Sequence, residues 1–194
     1  RHDFTFPPIL LSRAEAEADV DQCFGFWERL HPDLLANLDA EDYLSLKAWC
    51  RGEALEERLN PDGRISDRDL AWILYRAAAG FRDGHTSLGW LERLTPGNTS
   101  ATRFPPFRVA FCNGKWLVAG ALDPSLPGKE IVRVNGREFP DFIREILDRC
   151  SAETLPFKAV RFSWRQDFWW YFSGLCDCLE TLELDYRDPA GAEG

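Results

Sequence analysis

Long apolar runs are missing from this sequence. No stretch of about 18 consecutive apolar residues occurs, so no segment is expected to span a membrane as a helix. A basic cluster is missing as well. The 23 Lys and Arg are scattered among 32 Asp and Glu, for a net charge of −9. Contacts to phosphate need concentrated cations, so nucleic acid is excluded as a partner. None of the six cysteines forms a Cys-x-x-Cys pair. Cys176 and Cys178 have Cys-x-Cys spacing, but no histidine lies nearby to complete a zinc shell. They read as core or strand thiols, and no metal site is expected. Methionine is absent altogether, a fact with no evident physical cause.

Histidine is scarce, and one of the three is conspicuously placed. In "GFRDGHTSLGW", residues 80 to 90, His85 directly follows Asp-Gly, between a helix-like run and a strand-like run. Two readings stand open for it. A turn histidine would bond within its own loop; a catalytic one would need partners elsewhere in the chain.

The rest is ample for a core. With 45% hydrophobic and 13% aromatic residues, 194 residues can form one large domain or two small ones, and wholesale disorder is excluded. Residues 12 to 31 have helical spacing, with Ser12 and Glu15 forming a capping box and Pro32 ending the run. A second helix is expected from about Ala40 to Cys50, stopped by Gly52 and carrying Tyr43, Leu46 and Trp49 on one face. "NPDGRISDRDL" superficially resembles a calcium loop. Setting Gly63 at the sixth position puts Arg58 where the first carboxylate belongs and Asp69 where a Glu is usual. A turn with an N-cap at Ser66 explains the same residues. From Asp67 to Gly80 an Ala-rich helix is expected, then a short strand or extended turn from His85.

"TPGNTSATRFPP", residues 95 to 106, is the clearest loop and the best domain boundary. Beyond it the period changes. Two strands flank Asn113-Gly114 and another, Glu130 to Val134, closes on Asn135-Gly136. "FPDFIREILDRC" reads as a helix, residues 152 to 172 as mainly helical, and "LELDYRDPAG" as a strand running into a turn. "FSWRQDFWWYF", residues 162 to 172, is aromatic on several sides, which fits a helix wedged between domains.

The order of "FRDGHTSL", hairpin, "PGKEIVRVNG", helix and "SAET" resembles the N-terminal part of the tail-specific protease (carboxyl-terminal processing peptidase) superfamily. That superfamily includes the tricorn core and retinoid-binding relatives. The likeness runs from about Leu11 to Asp188, and its specificity lies in the order of short motifs. It implies an α+β fold: a helical bundle over residues 1–94, a small β-rich PDZ-like module over 95–150, and over 151–194 a helical connector leading into the first strand of an α/β catalytic domain that is itself missing. By this resemblance His85 is the general base, which activates a serine hydroxyl carried on that later domain. Asp83, Gly84 and Thr86 shape its loop. The whole enzyme would cleave peptide or unfolded-protein substrates through an acyl-enzyme, with no cofactor, in the periplasm or outside the cell; this chain alone would be inactive. Other branches of the superfamily use a Ser-Lys pair, which would leave His85 structural.

The PDZ-like likeness has a weak stretch. "RFPPFRV" lacks a Gly-Leu-Gly-Phe-like carboxylate loop, and Pro105 and Pro106 remove two backbone donors. The competing reading is a stand-alone scaffold that binds peptide or a hydrophobic ligand without protease activity. Exposed aromatic surface would favour self-association.

Overall fold

Ser12 begins the first helix by satisfying two backbone donors reciprocally. Its hydroxyl accepts the Glu15 N–H, and the Glu15 carboxylate takes the Ser12 N–H at 2.7 Å. The computed structural model describes residues 8–88, 107–163 and 183–188. They form an α+β fold whose chain divides into two units, Arg1–Trp90 with Asp148–Glu153, and Leu91–Leu147 with Thr154–Gly194.

In the first unit the elements are β1 (Leu10–Ser12), α1 (Arg13–Leu30), α2 (Ala40–Trp49), a π-helical turn (Cys50–Ala54), β2 (Arg64–Ser66) and α3 (Asp67–Gly80). β1 and β2 pair antiparallel. α1 stops at His31, where Pro32 follows and cannot continue the helix. The expectation that Gly52 stops the second helix is corrected. The backbone runs on through a π turn that contains Gly52, because an isolated glycine with helical neighbours weakens a helix without terminating it. At residues 60 to 66 the turn reading holds. The Asn60 side chain accepts the Asp62 and Arg64 N–H groups, Gly63 takes φ +69°, and Ser66 caps α3 through the Asp69 N–H.

Val20, Phe24, Leu55, Ile65, Ile73 and Phe81 are buried in this unit's core. Tyr43, Leu46 and Trp49 pack against it from α2. Trp27 meets Phe24 and Phe81 edge-on, with centroids 5.1 and 5.0 Å apart. A fully buried ring such as Phe24 or Phe81 contributes about 1.5–3 kcal/mol by leaving water.

The second unit contains β3 (Phe107–Cys112), β4 (Lys115–Ala121), β5 (Glu130–Val134), β6 (Arg137–Glu138), α4 (Phe139–Leu147), α5 (Leu155–Ser163) and β7 (Leu184–Arg187). Both Asn-Gly pairs make their hairpins, with φ of +50° and +78° at 113–114 and of +47° and +75° at 135–136. These are the left-handed values that a two-residue turn between twisted strands requires. The sheet is antiparallel in the order β3-β4-β5-β6, and β7 also pairs with β5. Phe107, Val109, Trp116, Val118, Ile131 and Val134 are its buried apolar positions, while Phe139, Phe142, Ile143, Ile146 and Leu147 are those of α4.

Leu184–Arg187, placed by the resemblance at the start of a further domain, finds its backbone partners here in β5. The fork is completed by side chains: Arg187 grips Glu130 through Nε at 3.0 Å and Nη2 at 2.8 Å, and Lys115 Nζ stands 3.1 Å from the same carboxylate. Hydrogen bonds from Arg187, with Lys115 assisting, hold the Glu130 carboxyl down at about 2 against the cost of its burial.

Residues 152 to 154 precede α5 instead of opening it. Thr154 caps the helix through the Phe157 N–H, and Pro156 occupies the first turn, where no backbone donor is needed. Phe162 is buried edge-on to Trp116. The loop at 95–106, Cys176, Cys178 and the aromatic run from Trp164 onward lie outside the described residues. Among the described residues no helix is long and apolar enough to cross a membrane.

Candidate functional site

Three stretches of the first unit build the region around His85. α3 ends at Gly80, Phe81 closes it with N–H bonds to the carbonyls of Ala78 and Ala79, and Arg82 turns the chain with a φ of +51°. Such a left-handed residue at a helix end would ordinarily be glycine. The Asn37 side-chain amide donates to the Arg82 carbonyl at 3.2 Å. Asp83, Gly84, His85 and Thr86 then follow as a turn.

The Asp83 side chain organises that turn. Its Oδ1 accepts the His85 backbone N–H at 3.1 Å, and its Oδ2 accepts the Thr86 hydroxyl at 2.9 Å. Oδ2 also lies 2.7 Å from Nε2 of His31, the residue that caps α1. Partial burial works to raise the Asp83 carboxyl. The bonds from His31, the His85 amide and Thr86 outweigh it and hold the group below its ordinary value.

The remaining backbone groups are braced from Asp148–Glu153. The Gly84 N–H donates to Glu153 Oε1 at 3.1 Å. The Ser151 hydroxyl lies 2.6 Å from the Asp83 carbonyl and 3.0 Å from that of Ala78, sharing its one hydrogen between them. Thr86 and Ser151 are buried, His31 and Asp83 are nearly so, and His85 is exposed.

The two histidines therefore differ in what they can do. His31 Nδ1 accepts the Asp33 N–H at 3.1 Å, which fixes the tautomer with hydrogen on Nε2, donated to Asp83. Both ring nitrogens are committed, so His31 has no atom left to accept a proton from a nucleophile. The His85 ring is held by no hydrogen bond among the described residues, so it can receive one.

Of the residues read from the sequence, Asp83, Gly84, His85 and Thr86 come together in one turn. Asp83 does not touch the His85 imidazole; it holds the backbone that presents it. His31, Ser151 and Glu153 were not foreseen. His31 sits beside Pro32 at a readable helix end, but nothing local reports its partner. Among the described residues no group of three or more His, Cys, Asp or Glu side chains is arranged to hold a metal ion. Compared with known proteins, the chain matches no family model and no curated protein.

Proposed function

We propose that this chain is the histidine-bearing part of a serine peptidase of the tail-specific type, in which His85 is the general base and the nucleophilic serine belongs to a later domain. The observation that supports it is the contrast between an exposed imidazole and the braced turn beneath it. Asp83 and Glu153 take the backbone N–H groups of His85 and Gly84, while the His85 residue is exposed. A base has to be held still with a nitrogen free, because proton abstraction needs a heavy-atom approach of about 2.6–3.2 Å. Orientation of the ring itself would come from outside this turn, since Asp83 is occupied by His31 and Thr86.

On this reading the sheet of the second unit is the PDZ-like module, and a peptide or unfolded chain is the substrate. The test is labelling of the native protein by a fluorophosphonate probe at neutral pH. Acylation should fall by about 10²–10⁴-fold in His85→Ala. His31→Ala, measured at a temperature where it stays folded, should lose far less. A native protein that never labels, or one that labels equally well without His85, would overturn the assignment.

A further inference from the structure

A second site lies in the first unit, and it does not depend on the role of His85. A groove of about 310 Å³ opens there, lined by Cys23 and Phe26 of α1 and by Leu70, Ala71 and Leu74 of α3. That volume is at the small end of pockets that hold small molecules, roughly 300–1,000 Å³. The walls are apolar apart from the neutral amide of Gln22 and two carboxylates, Asp19 and Asp67.

Among the described residues neither carboxylate meets a cationic side chain; Asp19 is exposed, and Asp67 stands in the first turn of α3. Among the described residues Asp19 takes part in no ion pair or hydrogen bond, and Asp67 accepts only the Ile9 N–H at 3.1 Å. Neighbouring acids behave otherwise: Asp69 meets Arg58 at 3.3 Å and Asp21 meets Arg51 at 3.4 Å. The charge of Asp19 also reaches the wall. Burial first, and then Asp19, push the Cys23 thiol up to about 12. A largely apolar cleft flanked by two carboxylates that meet no cationic side chain among the described residues repels a carboxylate ligand, and offers a protonated amine a charge attraction that a neutral head group lacks.

We propose that this groove binds a small cationic amphiphile, its apolar body against Phe26, Leu70 and Leu74 and its protonated amine taken by Asp19 and Asp67. Apolar contact supplies the affinity, and the carboxylates supply the discrimination between head groups.

The test uses the full chain with methyl-labelled leucine, titrated at pH 7 with n-octylamine, octan-1-ol and octanoate. The amine should shift the Leu70 and Leu74 methyl signals and bind about tenfold tighter than the alcohol, with octanoate weaker still. In Asp19→Asn and Asp67→Asn, exposed or half-buried positions where folding is not at risk, the amine should approach the alcohol. Ala71→Phe should fill the groove and abolish all three titrations. Equal binding of the three head groups would overturn the proposal. So would shifts confined to other leucines, or amine selectivity that survives both Asn variants.

Discussion

At His31 a single ring ties together segments 52 residues apart. Its Nδ1 fastens the backbone at Asp33 and its Nε2 fastens the turn that carries His85, so the ring stabilises a shape without entering any reaction. Removing it leaves the mostly buried Asp83 carboxylate short of its closest donor. His31→Ala should cost about 1–3 kcal/mol in denaturant unfolding, the penalty for stranding a partly buried charged acceptor. In the wild-type chain, ¹⁵N spectra should find His31 with its hydrogen on Nε2. A Nδ1-protonated ring, or an alanine variant as stable as wild type, would contradict the arrangement. The pair carried no signal in the sequence. A histidine next to a proline marks the end of a helix, but which aspartate it meets depends on how α1 and α3 pack.

At the scale of elements, α3 ends on an awkward residue. Arg82 has the left-handed backbone that a helix terminus wants from glycine, and its side chain is exposed. A non-glycine residue there costs about 1–2 kcal/mol, part of which glycine returns through its greater freedom when unfolded. Arg82→Gly should therefore raise stability by about 0.5–1 kcal/mol, read as a shift in denaturant midpoint at unchanged slope. Element boundaries of this kind were legible where chemistry is local. The Ser12–Glu15 box, the Ser66 cap and both Asn-Gly turns are each specified within four residues. Gly52 misled because a lone glycine marks a helix end only when the residues after it also abandon the helix, and here Leu55 and its neighbours pull the chain onward into the core. The bracing of the 83–86 turn by Ser151 and Glu153 spans nearly seventy residues and leaves no periodic trace.

Across the whole molecule, the two units each rely on a carboxylate whose folded value lies below its ordinary one: Asp83 in the first and Glu130 in the second. A lowered value means stability that is present above the ordinary value and lost as the pH falls through the folded one. For Glu130 that window runs from 4.5 down to about 2. Glu130→Gln should cost about 1–3 kcal/mol at pH 7, and the gap from wild type should close across that window, followed by circular dichroism in urea. A gap that is constant with pH would mean that the Arg187 fork contributes nothing through its charge.

The return of Asp148–Glu153 to the first unit has a consequence for how the protein is made. Chain leaves the ribosome at about 5–20 residues per second, so Ser151 and Glu153 arrive several seconds after the turn they secure, being 68 and 69 residues downstream of Asp83 and Gly84. During that interval α1 and α3 have been fully synthesised, while the His85 turn still lacks the restraints from Ser151 and Glu153. The part of the first unit that presents its exposed imidazole is thus the last to be locked during synthesis, and a nascent chain stalled before residue 151 would carry the helices without a finished turn.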